Sequence, residues 1–294
     1  VVIRPTLPLV LCALICTVWA FPTPASAQSS SSREAALPAN ASGEEIFVAA
    51  CATCHGSDGR GSPSSVVGFE LPLDNGHDFP DFTDCSINTV EPLADWMAVA
   101  HRGGRVRALD RRMPAFGDAL TDDQIERAVK YLWTFCDDPA WPRGDLNLPR
   151  TFFTEKAFPE NEAVWTTGVS TSGAKAVENE LVYEHRIGSR GQFEIKVPIN
   201  VQQDAPGGTW SRGLGDVELA FKRTLYASFD RGSIFAAGAA ATLPTGKEEL
   251  GLGNGYTIYE PFAMWGQIVG VSGFVQVHAG YEFPSNRTLG QREG

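Results

Sequence analysis

The hydrophobic period of this 294-residue chain changes at Cys136, and no single layered architecture accommodates both halves. Upstream, the apolar Ile125, Ala128, Val129 and Leu132 recur at helical spacing. Downstream, from Gln192 to Gln202, Phe193, Ile195, Val197, Ile199 and Val201 alternate with polar residues or proline. The expected fold class is therefore two-domain, α plus β: a small all-α unit followed by an antiparallel β-meander. The length agrees, being too great for one small unit.

The helical half can be parsed by its caps. Ser42 can cap a helix over 42–50, with Glu44 and Glu45 in its first turn and Ile46 and Phe47 on its apolar face. Residues 56–92 are rich in Gly, Pro, Asp and Ser and read mostly as loop. Leu93–His101 is a second helix, stopped by Gly103-Gly104, and Thr121 caps a third.

Before these helices, residues 1–27 read as an export leader. Arg4 supplies the positive end, Leu7 to Ala20 the apolar stretch, and Ala25-Ser26-Ala27 a cleavage site. A retained anchor is the alternative. Residues 28–40 are a flexible lead, 41–137 the helical unit, 138–160 a Pro-rich linker and 161–294 the β-domain.

Period two returns after the linker at Val217–Leu225, Ile234–Leu243, Tyr256–Trp265 and Val275–Phe283, with Gly-rich breaks between runs. The apolar stretch Phe262–Gly280 holds Gln267, Ser272, Gln276 and four glycines, so it reads as two strands and not as a spanning helix. The net charge of −11 argues against nucleic acid as a partner.

Cys51-Ala52-Thr53-Cys54-His55 is C-x-x-C-H, the attachment motif of haem c. Two thiols add to the two vinyl groups along one porphyrin edge, and the intervening pair lets a helical turn span it. The following imidazole is then aimed at the iron. A redox dithiol or half a zinc site is the competing reading, weakened by the adjacent His and by the absence of a second C-x-x-C. Outside the leader, which holds Cys12 and Cys16, Cys85 and Cys136 are left over; in an oxidising compartment a disulfide between them is the leading expectation, with two unrelated buried thiols as the alternative.

For the sixth iron position, Met113 is the leading candidate, in the loop Arg112-Met113-Pro114-Ala115-Phe116-Gly117. Pro114 keeps Met113 out of a helix, so its thioether can be aimed inward. Met97, His77 and His101 are the rivals; Met97 suits helix packing. The expected cofactor-binding set is Cys51, Cys54, His55 and Met113, with His55 and Met113 on the metal.

Residues 42–136 resemble a class I cytochrome c domain. The resemblance rests on Gly43, Phe47, Cys51-Ala52-Thr53-Cys54-His55-Gly56, Met113-Pro114-Ala115-Phe116-Gly117 and the final helix around Tyr131-Leu132. It implies a low-spin haem between His and Met, first and last helices crossing beside it, and Phe47 and Tyr131 at that crossing. The stretch between His55 and Met113 is longer than in the smallest members.

Thioether ligation raises the reduction potential, and two filled axial positions leave one-electron transfer as the chemistry. Arg102, Arg105, Arg107, Arg111 and Arg112 precede Met113, where they could meet haem propionates or dock an acidic redox partner. A haem enzyme with a displaceable Met113 is a further alternative.

The segments Gly213-Leu214-Gly215-Asp216-Val217, Leu243-Pro244-Thr245-Gly246 and Gly251-Leu252-Gly253 resemble a family of bacterial outer-membrane proteins associated with aromatic-compound degradation or uptake. That resemblance implies an outer-membrane β-barrel, with Tyr183, Trp210, Tyr226, Tyr256, Tyr259, Trp265 and Tyr281 available as interfacial rings. A soluble β-sandwich is the competing fold. About seven strands are expected, whereas single-chain bacterial barrels carry an even and often larger number. The last residues, Gln291-Arg292-Glu293-Gly294, lack the terminal aromatic of that family. The ring is thus expected to be truncated or to need other strands.

The primary expectation is electron transfer by a periplasmic haem tethered to an outer-membrane β-domain. The alternative is a pore or transport protein whose haem senses redox state or anchors the fold.

Overall fold

The computed structural model describes residues 37–62, 79–150 and 154–285. The leader, most of the lead and His77 lie outside the described residues.

The helical unit is built from α1 (Gly43–Ala50), α2 (Ala52–His55), α3 (Cys85–Asn88), α4 (Leu93–Arg102) and α5 (Asp122–Trp133). Both long-range packing helices start where the caps predict. Ser42 and Glu45 exchange hydrogen bonds across the first turn of α1, and Thr121 and Gln124 do so for α5. Within 56–92, read mostly as loop, α3 is a four-residue helix, too short to show a period and started by the Asp84 side chain.

α1 and α5 cross closely because Gly43 has no side chain. A Cβ there would stand 2.2 Å from the Arg127 carbonyl oxygen. Phe47 lies 5.6 Å, ring centroid to centroid, from Tyr131, as the resemblance implied. Around them Phe47, Phe82, Ile125, Val129, Leu132 and Trp133 form the core of this unit. Cys85 and Cys136 form a disulfide with Cα atoms 5.4 Å apart, fastening α3 to the end of α5.

The second region is one antiparallel sheet of nine strand segments: β1 (Glu162–Ser170), β2 (Ala176–Ile187), β3 (Gly191–Gln203), β4 (Trp210–Leu214), β5 (Val217–Ser228), β6 (Ser233–Leu243), β7 (Ile258–Val269), β8 (Gly273–Gly280) and β9 (Phe283–Pro284). β4 and β5 both pair with β3, and β8 and β9 both pair with β7, so the segments occupy seven positions in the order β1-β2-β3-β5-β6-β7-β8. The sheet is not closed: β1 and β8 are its edges, and six antiparallel steps make them run the same way.

The two faces of the sheet differ in an unusual sense. Leu181, Tyr183, Ile187, Phe221, Leu225, Val275 and Val277 lie on one face, exposed. The other face carries Glu184, Arg186, Gln192, Glu194 and Lys222, and these are buried. Six of the seven aromatics singled out as interfacial rings, Tyr183, Trp210, Tyr226, Tyr259, Trp265 and Tyr281, are exposed; Tyr256 is half-buried.

Within the stretch read from composition as a linker, residues 144–150 and 154–160 lie against this inner face. Phe158 and Leu146 pack with Ile234, Ala236 and Met264. On the other side the same segment is bound to the helical unit. Asp145 accepts the Leu93 N–H at 3.0 Å, at the start of α4, where Pro92 offers no side-chain cap. Arg143 donates to Asn88 Oδ1 and to the carbonyls of Trp133 and Cys136.

Candidate functional site

The C-x-x-C-H segment bridges two helices. Cys51 closes α1 by donating its N–H to the Phe47 carbonyl, and its own carbonyl accepts from His55 at 3.0 Å, opening α2. The turn that follows folds back on the motif. Gly61 N–H donates to the His55 carbonyl at 2.8 Å and Ser62 N–H to that of Cys54 at 2.9 Å. Gly56 makes this reversal at φ +73, a conformation that disfavours a side chain.

His55 is held by aromatic contacts, with Phe82 at 4.9 Å and Phe79 at 6.1 Å between ring centroids. Burial pushes its imidazole pKa down to about 4, so the ring is neutral at neutral pH and keeps the lone pair a metal requires. Burial, reinforced by the neighbouring Cys54, pushes the Cys51 thiol up to about 11. Burial also raises Cys54. Both sulfurs are therefore thiols at neutral pH.

Met113 lines the same cavity from the loop that follows α4. Its carbonyl accepts the Gly104 N–H at 3.2 Å, and its N–H donates to the Asp110 carbonyl at 3.2 Å. Phe116 and Gly117 donate to the carbonyls of Ala100 and His101, strapping the loop to the end of α4. Gly103 is needed here: it turns at φ +82, and a Cβ on it would stand 2.9 Å from the Met113 carbonyl oxygen.

Cys51, Cys54, His55 and Met113 line one cavity of 610 Å³, walled mainly by Phe47, Phe82, Trp96, Ile125, Val129 and Leu132. That volume is in the range of cofactor sites. Met97 and His101 are not among its lining residues. Met97 packs on the core, while His101 lies 3.7 Å from Asp122 and its ring fills the space beside Gly117. The rival His77 lies outside the described residues.

The donor set suits a c-type haem. Two thiols lie on one wall with a neutral imidazole beside them, a thioether lines the same space, and most of the remaining surface is apolar. The arginines near the Met113 loop are only partly available. Arg107 pairs with Glu91 at 2.8 Å and Asp95 at 3.1 Å, and Arg112 binds both oxygens of Asp110. Arg102 and Arg105 are exposed. Composition alone could not assign these carboxylate partners, two of which lie well before the arginines in the chain.

No curated protein matches this chain. Residues 38–132 match the family described as cytochrome c oxidase, cbb3-type, subunit III. Those residues are thus a cytochrome c domain of the cbb3 type, which implies a covalently bound haem c with its iron, and an antiparallel β-sheet region follows it in the chain.

Proposed function

We propose that this chain carries single electrons in the periplasm, with its haem held by Cys51, Cys54, His55 and Met113 and its β-domain set in the outer membrane. The observation that carries the electron-transfer reading is that these four side chains line one largely apolar cavity. When bound, haem c supplies a one-electron couple at its iron. Cys51 and Cys54 fix the porphyrin edge through thioether links. His55, neutral and in contact with Phe79 and Phe82, would offer its imidazole to the iron. Met113 would offer its thioether sulfur, a ligand that favours the ferrous state. The apolar walls would keep water from the metal, and with His55 and Met113 both bound no substrate would coordinate. This supports an electron carrier over a haem enzyme.

The membrane reading rests on the sheet. β1, β2, β3, β5, β6 and β7 run 9 to 13 residues, the length of a tilted strand crossing the hydrocarbon layer. On β2, β3 and β5 the outward side chains are mostly apolar and the inward ones mostly polar, the reverse of a soluble sandwich, while β6 and β7 turn the apolar Ile234, Ala236 and Met264 inward. No helix among the described residues is long and apolar enough to cross a membrane, which says nothing about crossing by strands. Arg102 and Arg105, exposed near the Met113 loop, are the cations for docking an acidic redox partner.

Met113→Ala should lower the potential by a few tenths of a volt, a fraction of the roughly 0.8 V that axial ligation spans, and should let carbon monoxide bind the ferrous protein. Redox titration and optical spectra read both effects. An unchanged potential would assign the sixth position elsewhere. Fractionation with haem staining tests the address: haem recovered wholly in the soluble periplasmic fraction would defeat the membrane reading.

A further inference from the structure

The short turns of the sheet, 188–190, 229–232 and 270–272, all lie at one end, and the longer connections 171–175, 204–209 and 244–257 at the other. The helical unit is seated on the short-turn end. Trp133, the last residue of α5, meets Phe229 edge-on at 6.1 Å. Arg190 donates to the carbonyls of Ala140 at 2.9 Å and Pro139 at 3.0 Å.

From there the chain crosses the polar face instead of leaving it. Gln276 on β8 donates to the Pro149 carbonyl and accepts from Thr154. Lys222 on β5 donates to the Lys156 carbonyl at 2.7 Å, and Thr224 to that of Ala157 at 2.9 Å. Gln192 on β3 accepts the Glu160 N–H at 2.7 Å. Leu148 fits over Gly266 on β7, where a Cβ would stand 2.8 Å from its Cδ1. Charges are matched as well: Lys196 lies 3.1 Å from Glu194, 3.0 Å from Glu218 and 3.5 Å from Glu155, which is on the crossing segment itself.

We infer that residues 144–150 and 154–160 form a plug that seals the inner face of the β-domain at its short-turn end, so that the domain anchors the haem unit and does not conduct. Buried strand polar groups need partners, and here the backbone carbonyls and charged side chains of the segment supply them. A mobile tether would have left Lys222 and Gln192 facing solvent; instead they are buried. The plug faces the periplasm only if the membrane reading above holds, because short turns mark that side of outer-membrane barrels. The sealing itself does not depend on that reading. It opposes the alternative of an open pore.

The test uses the haem-loaded, leader-free protein, in which thioether links and the Cys85–Cys136 disulfide would leave no other thiol. Ala157→Cys, buried in the plug, is compared with Thr171→Cys, exposed in a long-end connection. A water-soluble maleimide should label position 157 at least about a hundredfold more slowly than position 171, in detergent and in phosphatidylethanolamine–phosphatidylglycerol vesicles alike. Adding Lys222→Met and Thr224→Val should speed labelling at 157 alone. Equal rates at the two positions would overturn the plug, as would current steps from the unmodified protein in a planar bilayer. If the added variant does not fold, the comparison of 157 with 171 still decides. Vesicle flotation is scored separately: protein that fails to float but keeps position 157 protected rejects the membrane reading and leaves the plug standing.

Discussion

The helical unit and strands β2, β3 and β5 sort apolar and polar side chains in opposite directions. In the helical unit Ile46, Phe47 and Ile125 are fully enclosed, while acidic Asp122 and Asp123 stay at the surface. In the sheet Glu184, Gln192 and Lys222 are enclosed and Leu225, Phe221 and Val277 are exposed. Burial of apolar surface drives folding in water at roughly 25 cal/mol per Å², so the helical unit is organised for water. The outward apolar side chains of β2, β3 and β5 are what the proposed membrane setting would place against lipid, where exposed hydrocarbon carries no penalty. Under that proposal the two halves of one chain meet two solvents.

The largest test of this contrast lies on the water side. The Cys85–Cys136 disulfide closes a loop over a sequence separation of 51, which constrains the unfolded chain by about 4 kcal/mol. Cys85→Ser should lower the stability of the helical unit by that order, read as a shift in its urea midpoint, while the haem band stays on a denaturing gel. Loss of the haem would mean that these cysteines take part in attachment, contrary to their separation from the C-x-x-C-H wall.

Next in size is a substitution whose cost depends on the solvent its face meets. Phe221 is 47% exposed in the middle of β5. If its face meets lipid, Phe221→Arg should destabilise the vesicle-inserted protein by about 2–4 kcal/mol. If that face meets water, an exposed substitution should change stability by no more than about 0.5 kcal/mol. Urea unfolding from vesicles separates the two outcomes, and the smaller value would turn the contrast into an ordinary surface with unusual composition.

What was legible in the sequence follows the range of the interactions involved. The starts of α1 and α5 were readable because a cap is made by residues three apart. The alternation of β3 was readable because the strand repeat is equally local, and the C-x-x-C-H and Met-Pro-Ala-Phe-Gly segments identified the cavity's two walls. β1 and β2 were not among the runs singled out, since Glu178, Glu180, Glu184 and Arg186 look like a solvated stretch until the inner face is known to be polar. Residues 138–160 read as a linker because their partners, Arg186, Gln192, Lys222 and Gln276, lie tens of residues downstream or more. The arginines before Met113 were visible, but not their carboxylates on other segments.

The smallest expected effect is a pH dependence at the first turn of α1. Glu45 accepts the Ser42 N–H at 2.7 Å while its own N–H donates to the Ser42 hydroxyl at 3.2 Å. The hydrogen bond from the Ser42 backbone, then that from its side chain, holds the Glu45 carboxyl below its usual value. A carboxyl whose pKa is lower folded than unfolded adds stability above its unfolded pKa, and that contribution is lost as pH falls through the folded value. The first turn of α1 should therefore loosen on acidification below the ordinary glutamate range, and α1 leads directly into Cys51. Amide exchange at Phe47 and Val48 followed against pH should show this step in the native sequence and lose it in Glu45→Gln. An identical acid limb in both proteins would place the sensitivity at another carboxylate and remove the cap from the account of how the haem helix is held.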